Sequence, residues 1–294
     1  MNPPREARHR IGAVASLTGL STHAIRAWER RYGAVEPVRT PAGDRLYSDD
    51  DVARLGLMGT LTKLGHGIRE IARLSIDELR SLTERHDNLE RKRASDESAL
   101  AKLVAALDVA ALSRGIRARA LELNARELVM DVLIPLLQQV GTEWEVGRLG
   151  PRHEHMTTAI VRQRLDGIIS GADPGPDAKV AIASTLSGEL HEVGALAGLA
   201  LAAIRGFRVV YLGPNLPAFE IAETAIYTNA SLVLISALSG AAPAILELRR
   251  ALPEPIALIV GGPGASGVEA WPDGPRMESL DELEQWLLEQ SPKR

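Results

Sequence analysis

Glu189-Leu-His191-Glu-Val-Gly194 is the stretch that decides the fold of the second half of this 294-residue chain. Five residues separate it from the apolar run Val180–Ala183 before it, and later apolar runs end at Ser236-Ala237-Leu238 and at Gly261-Gly262. In open α/β sheets, ligands bind outside the carboxyl ends of the strands. One histidine on such a loop, with glycines where later strands end, is typical of a site for a large planar cofactor at the sheet edge.

Apolar runs alternate with helical segments throughout this half of the chain. The four runs predicted as strands are Val180–Ala183, Val209–Leu212, Leu232–Ile235 and Ile256–Val260. Such alternation favours a parallel sheet built by right-handed crossovers. Pro174-Gly175-Pro176 is typical of a linker. We therefore predict a Rossmann-like α/β domain over residues 177–294.

These motifs resemble the cobalamin-binding domain of B12-dependent mutases, methionine synthases and corrinoid regulators, over residues 177–290. The resemblance implies that the neutral imidazole of His191 is the lower axial ligand of cobalt. It also implies that Glu189 holds the other ring nitrogen, and that Gly194 lets the following helix approach the corrin closely. The other residues that it assigns to the cofactor are Tyr211, Leu212, Ser236, Leu238, Gly261 and Gly262. The alternative for His191 is a histidine exposed on a surface loop.

Residues 98–173 have a helical pattern throughout. An apolar stripe at helical spacing runs from Val129 to Trp144, and Pro151 suits the first turn of the next helix. We predict four helices packed as a small bundle. The charge-dense residues 77–97 are expected to form a helix or linker before it, with little core of their own.

Trp144, followed after nine residues by Glu154-His155, is the one chemical constellation of this bundle. It resembles the CarH-type photoreceptors, in which this pattern covers the upper axial group of adenosylcobalamin. The resemblance implies that Trp144 packs over the adenosyl group and that Glu154 and His155 give it polar contacts. The alternatives are a core tryptophan at a helix end and a solvated helix start. Glu145 stands where a histidine would capture bare cobalt, which leaves His153 as a substitute.

The N-terminal segment is basic although the chain is acidic overall. Residues 1–47 carry eight arginines and four acidic residues, a net charge of +4, whereas the whole chain has −4. The remainder therefore carries −8. A basic head on an acidic body indicates that the head alone binds a polyanion.

A winged helix-turn-helix is predicted for this head. Two short helices, at 11–18 and 21–31, precede a hairpin over 37–48 that turns at Ala42-Gly43, and a further helix spans 49–64. The stretch Arg26-Ala-Trp-Glu-Arg-Arg-Tyr-Gly33, followed by Arg45-Leu-Tyr47, resembles the MerR family of transcription regulators. We expect a DNA-binding domain over residues 1–76. The residues that this resemblance assigns to DNA are Arg26, Trp28, Arg30, Arg31, Tyr32, Arg39, Arg45 and Tyr47. The alternative for any single arginine is a solvated helix face.

Composition excludes several other classes of protein. The chain has no cysteine, so it has neither disulfides nor thiolate metal sites. No apolar run reaches the length that spans a bilayer, and the first ten residues lack the apolar core of a signal peptide. We therefore expect a cytoplasmic protein with no membrane partner.

Together these patterns predict a multidomain, non-enzymatic transcription regulator with a MerR-type head, a four-helix cap and a cobalamin-binding domain. Its expected partners are operator DNA, adenosylcobalamin and further copies of itself, as a dimer or tetramer. Photolysis of the cobalt–carbon bond is expected to change the oligomer and release DNA. Two alternatives are a cobalamin sensor without light response and a corrinoid carrier or mutase-like subunit. A third is a regulator that uses the cobalamin fold only to bind proteins.

Overall fold

The computed structural model describes residues 8–238, 240–265, 276 and 277, and 279–290. The chain forms two compact units, residues 1–96 and residues 97–294. In the part of the chain that the structure describes, no helix is both long and apolar enough to cross a membrane.

The first unit is a small three-stranded sheet with helices. Its elements are β1 (His9–Arg10), α1 (Ile11–Thr18), α2 (Thr22–Tyr32), β2 (Val38–Arg39), β3 (Arg45–Tyr47), α3 (Asp49–Lys63) and α4 (Ile68–Ile71), and α5 (Ile76–Ala105) begins in it. The antiparallel strands lie in the order β1-β3-β2, and Gly43 has a φ of 87° in the connection between β2 and β3. The predicted helices and hairpin of the head are therefore present.

Capping side chains explain where the helices of this unit begin. The Ser21 hydroxyl accepts a hydrogen bond from the Ala24 N–H at 3.1 Å and so starts α2. Ser48 and Asp51 form a buried capping box at the start of α3, in which each side chain accepts a hydrogen bond from the other residue's backbone N–H. Trp28 packs against both apolar clusters of the unit, one around Met58 and one around Leu55. It therefore joins α2 to the rest of the head.

The predicted linker, residues 77–97, is helical and lies within α5. Leu79 on this helix is fully buried in the core of the head, and Leu82 packs against the same cluster. The expectation that this segment has little core of its own missed that anchor, because its many charges hide one short apolar face.

The second unit begins with helices and continues as an α/β domain. Its helices before the sheet are the end of α5, α6 (Val109–Glu122), α7 (Ala125–Leu128), a π-helical turn (Val129–Leu133), α8 (Ile134–Glu145) and α9 (Pro151–Ser170). The remaining elements are β4 (Val180–Ser184), α10 (Val193–Ile204), β5 (Arg208–Tyr211), α11 (Ala218–Tyr227), β6 (Ala230–Ser236), α12 (Ala242–Ala251), β7 (Ala257–Gly261), β8 (Arg276–Met277) and α13 (Leu280–Gln290).

The five strands are parallel and lie in the order β5-β4-β6-β7-β8. The chain leaves β4 toward β5 on one side, whereas it leaves β6 toward β7 on the other. The carboxyl ends of β4 and β6 therefore flank the point where the strand order reverses, which is where open α/β sheets bind ligands. β8 and α13 were not predicted from the sequence.

One apolar core joins the helices before the sheet to the sheet itself. Leu112 and Leu133 from the helices belong to the same buried cluster as Leu196 on α10 and Leu232 on β6. A second cluster fills the opposite face of the sheet under α11 and α12. The cap and the α/β domain are therefore one compact unit.

Candidate functional site

Glu189 organises the loop after β4. Its Oε1 accepts hydrogen bonds from the His191 backbone N–H at 2.9 Å and from the ring Nδ1–H of His191 at 2.6 Å. Its Oε2 accepts the Leu238 backbone N–H at 3.0 Å, from the loop after β6. One carboxylate thus ties together the two loops that flank the switch point.

The electrostatics of Glu189 reflect this set of contacts. Burial of the carboxylate acts to raise its pKa. The hydrogen bonds from the N–H groups of His191 and Leu238 and from the His191 ring act to lower the pKa, and together they outweigh the effect of burial. The net pKa of Glu189 lies below its ordinary value, so the group stays ionised and accepts the Nδ1 proton of His191. The His191 side chain is 67% exposed, and its Nε2 is the ring nitrogen left for a ligand.

Gly194 and Gly262 allow the backbone to pack closely at this edge. A Cβ on Gly194 would lie 2.5 Å from the Oγ of Ser236, the last residue of β6. A Cβ on Gly262 would lie 2.4 Å from the Ala237 carbonyl oxygen, and Gly262 has a φ of 96°. Gly261 pairs with Ser236 in the sheet register. Only glycine fits both close approaches, so the structure gives these predicted positions a physical reason.

Tyr211 and Leu212, which the resemblance assigns to the cofactor, pack into the clusters on opposite faces of the sheet. The Tyr211 hydroxyl donates to Glu192, and burial followed by this hydrogen bond raises the pKa of Tyr211. Leu212 packs into the cluster under α11 and α12 instead. Because side chains alternate at a strand end, the two residues do not face the same side of the sheet.

A polar groove runs along α9. It has a volume of about 540 Å³, and the residues that line it are His155, Thr158, Ala159, Arg162, Gln163, Asp166 and Glu192. The Arg162 Nη1 lies 3.0 Å from the Glu192 Oε1. Because Glu192 directly follows His191, the groove extends from the start of α9 to the loop after β4.

Sequence reasoning missed Arg162, Gln163, Asp166 and Glu192. His155, Arg162 and Asp166 recur at i, i+7 and i+11, which places them along one helix face. That polar stripe was the available signal. No pattern in the sequence indicated Glu192, because its partners Arg162 and Tyr211 are distant from it in sequence.

The predicted upper constellation is only partly brought together. Glu154 and His155 lie in the first turn of α9, where the Glu154 Oε2 accepts the His155 Nδ1–H and the Glu154 Oε1 accepts the Thr158 hydroxyl at 2.8 Å. Trp144 lies near the end of α8 with 48% of its surface exposed, so it is not a core residue. It is not among the residues that line the groove.

His153 is in a different environment from His155. It is 5% exposed, and its Nδ1 accepts the Gly150 backbone N–H at 3.0 Å, which caps α9. A ligand role for His153 would require the first turn of this helix to open.

The head presents a basic surface on α2 and the wing. Arg26, Arg30 and Arg31 on α2 are exposed, as is Arg39 on β2. Arg26 and Arg30 are four residues apart and therefore lie on one helix face. Tyr32 is half-buried and packs against the Met58 cluster. These arginines have the exposure that phosphate contacts need.

Arg45 and Tyr47 differ from the prediction. The Arg45 Nε donates to both Glu29 carboxylate oxygens, at 2.9 and 3.0 Å. Tyr47 is fully buried and its hydroxyl donates to Glu29 at 3.4 Å; burial and the Glu29 charge raise the pKa of Tyr47 to about 12. Tyr47 is therefore a core residue and not an open phosphate donor, and Arg45 holds the wing on α2.

Comparison with known families agrees with this division of the chain. Residues 9–76 match the MerR HTH family regulatory protein model, and residues 97–168 and 179–273 match two B12 binding domain models. Among solved structures, the monomethylamine corrinoid protein of Methanosarcina barkeri has a TM-score of 0.54 at 19% identity. That likeness covers 65% of this chain and 96% of that one, and it shows the fold alone.

Two relatives from Myxococcus xanthus cover nearly the whole chain. The HTH-type transcriptional repressor CarH is 32% identical over 277 residues, 90% of this chain and 92% of that protein. The HTH-type transcriptional repressor CarA is 30% identical over 278 residues, 87% of each. The chain therefore belongs to the MerR-type, B12-binding transcriptional repressors that include CarH and CarA.

Proposed function

We propose that this repressor binds adenosylcobalamin and uses it to release operator DNA in light. The observation that carries the proposal is the Glu189 clamp at the switch point, which fixes the His191 ring and leaves Nε2 available. Metal-binding histidines commonly donate their other ring N–H to a carboxylate in this way. Gly194 and Gly262 let the chain pack closely against Ser236 and Ala237 at the same edge of the sheet.

The residues present fit a corrinoid. His191 would bind the lower face of the cobalt, and Ser236, Leu238, Gly261 and Gly262 lie on the same carboxyl edge of the sheet to receive its tail. Trp144, Glu154 and His155 would adjoin the upper axial group, where the Glu154 carboxylate accepts hydrogen bonds from ribose hydroxyls. When bound, adenosylcobalamin supplies a weak cobalt–carbon bond that light cleaves.

The chain's own part in the switch is mechanical. Trp144 is exposed at the end of a helix, so an upper axial group beside it would hold α8 and α9 in one position. Loss of that group would free the cap and dissociate an oligomer, dimer or tetramer, that holds several heads together. Tethered heads bind DNA far more tightly than separate ones, because the second contact is intramolecular.

The test is to purify the full chain with adenosylcobalamin and record its absorption spectrum, its mass by light scattering and its affinity for operator DNA, in the dark and after green light. We expect mass and DNA affinity to fall together on illumination. Bound cobalamin with unchanged mass would contradict the light switch and favour a cobalamin sensor.

His191→Ala is expected to weaken cobalamin uptake and remove imidazole coordination. Unchanged cobalamin affinity and an unchanged absorption spectrum of this variant would refute the assignment of His191 as the lower ligand.

A further inference from the structure

The loop that carries His191 is held from a second side, by the loop after β5. The Asn215 Oδ1 accepts the backbone N–H of Gly188 at 2.7 Å, directly before Glu189 in the chain. The Thr185 hydroxyl donates to the Glu189 carbonyl oxygen at 2.5 Å and accepts the Asn215 backbone N–H at 2.9 Å. The backbone on both sides of the Glu189 side chain is therefore tied to Asn215, directly or through one hydroxyl.

The loops after β4 and β5 are also joined along their length. The Ser184 hydroxyl donates to the Gly213 carbonyl oxygen at 2.7 Å. The Leu216 backbone N–H donates to the Thr185 carbonyl oxygen at 3.0 Å, and the Ser184 and Thr185 side chains are fully buried. Because β4 lies between β5 and β6 in the sheet, the loop after β4 is held by the loops of both neighbouring strands.

Asn215 combines two properties that its position needs. Its φ of 65° lies in the left-handed region, which asparagine tolerates better than most residues other than glycine. Its side-chain oxygen supplies the acceptor for the Gly188 N–H. Glycine would therefore keep the backbone conformation and lose the hydrogen bond, whereas aspartate would keep an acceptor oxygen.

We propose that Asn215 is a positioning residue for the lower ligand of the bound cobalamin. This inference rests on the proposed cobalamin site. Asn215 fixes the backbone of Gly188 and Glu189. The Glu189 carboxylate then holds the His191 ring, so its Nε2 is in place before the cofactor binds. Because the loop is ordered in advance, binding loses less conformational entropy and the affinity for cobalamin is higher.

The test compares three variants with the wild type, all as the full chain. Asn215→Gly removes the acceptor and suits the positive φ, so the fold is expected to stay intact. Asn215→Asp keeps an acceptor oxygen. Asn229→Gly is the matched control, because Asn229 is also an exposed asparagine with a positive φ, 52°, and lies before the amino end of β6, away from His191.

Three measurements follow the ligand and its loop. Proteins labelled with ¹⁵N-histidine are loaded with cob(II)alamin, and electron paramagnetic resonance gives the fraction of cobalt bound to histidine, since ¹⁵N and ¹⁴N ligands split the signal differently. Titration with hydroxocobalamin gives the affinity. Backbone amide hydrogen exchange at His191 is measured in the protein without cobalamin, where it reports the order of the loop itself.

We expect Asn215→Gly to bind hydroxocobalamin more weakly and to exchange the His191 amide faster, each by roughly twofold to tenfold, the range for one lost hydrogen bond. Part of its bound cob(II)alamin is expected to lack the histidine signal. Asn215→Asp is expected to recover most of the loss, and Asn229→Gly is expected to match the wild type.

Three results would overturn the inference. Asn215→Gly could equal the wild type in histidine signal and amide exchange, Asn215→Asp could be as defective as Asn215→Gly, or Asn229→Gly could show the same loss. In each case the wild type still binds cobalt through histidine, so the cobalamin site itself survives. A wild type that retains no cobalamin, or retains it without the histidine signal, would instead refute the proposed function and with it the role of Asn215.

Discussion

Glu189 shows how a single side chain organises the edge of the sheet. It is nearly buried, at 12% exposure, yet it accepts hydrogen bonds from two loops and one ring. A buried carboxylate is stable only when its oxygens are satisfied. The same bonds that meet this requirement fix the orientation of His191, so stability and ligand geometry depend on one group.

The lowered pKa of Glu189 predicts how the second unit responds to acid. A carboxylate whose folded pKa is depressed contributes stability above its unfolded pKa, and this contribution is lost as the pH falls through the folded value. The free energy of unfolding is therefore expected to fall more steeply below pH 4.5 in the wild type than in Glu189→Gln. Urea unfolding at several pH values measures this, with the exposed residue variant Glu223→Gln as control. Equal slopes for Glu189→Gln and the wild type would contradict the assignment.

Gly194 gives a second prediction at the scale of single residues. Gly194→Ala places a methyl group against the Ser236 hydroxyl, and such overpacking costs about 1–3 kcal/mol. Gly167→Ala on α9 meets nothing within 4 Å and is expected to be neutral or stabilising. Urea unfolding compares the two variants. Because Ser236→Ala removes the clashing oxygen, the double variant is expected to recover part of the loss, and no recovery would show that the clash lies elsewhere.

At the scale of elements, the wing and the recognition helix are held together by Glu29. It accepts two hydrogen bonds from Arg45 on β3 and one from Tyr47, so α2 and the wing form one surface. The arginines of the head therefore divide into two groups. Arg26, Arg30, Arg31 and Arg39 are exposed, whereas Arg45 positions the strand.

This division predicts different effects of Arg30→Ala and Arg45→Ala on operator binding. Arg30→Ala is expected to lower affinity and reduce the salt slope by about one, as the loss of one phosphate contact does, while the head keeps its melting temperature. Arg45→Ala is expected to lower the melting temperature together with the affinity. Fluorescence anisotropy at several salt concentrations and thermal unfolding measure the two quantities. Binding of operator by residues 76–294 alone would refute the assignment of DNA recognition to the head.

At the scale of the whole second unit, buried charge connects the helices before the sheet to the α/β domain. Glu284 on α13 is 2% exposed and pairs with Arg126 on α7 and with Arg205 after α10. The second connection is the pair between Arg162 on α9 and Glu192. Removing one partner of a buried pair is costly because the other charge is left uncompensated. Movement of the cap against the sheet would therefore break the more exposed Arg162–Glu192 ion pair more readily than the buried ion pairs of Glu284.

The Trp144 variant tests whether the upper group holds this unit in its assembled state. We expect Trp144→Ala to retain adenosylcobalamin through His191 but to show a mass that does not respond to light. Light scattering in the dark and after green light measures this, and Val146→Ala, another exposed apolar position nearby, is the control. A normal light response of Trp144→Ala would show that its indole does not transmit the change.

The sequence by itself determined the features that depend on neighbouring residues. Helices α2 and α3 begin within one residue of their predicted starts, capped by Ser21 and Ser48, and the parallel strands follow the apolar runs. These features arise from contacts within one or two turns or one strand. The pairing of Glu189 with His191 was also predictable from the sequence, since only Leu190 separates them. A close approach at Gly194 was also predicted from the sequence. The Ser236 hydroxyl, which is the group that Gly194 approaches in the structure, was not predicted.

Only the tertiary structure decided which distant side chains meet. Glu29 binds Arg45 and Tyr47, Glu192 binds Tyr211 and Arg162, and Glu284 binds arginines from two other elements. An arginine or tyrosine has the same local pattern whether it faces solvent or a buried carboxylate. Its role depends on the packing of the apolar cores, which brings distant segments together. A buried charge or hydroxyl needs a hydrogen-bond partner, and the packing determines which partner is within reach.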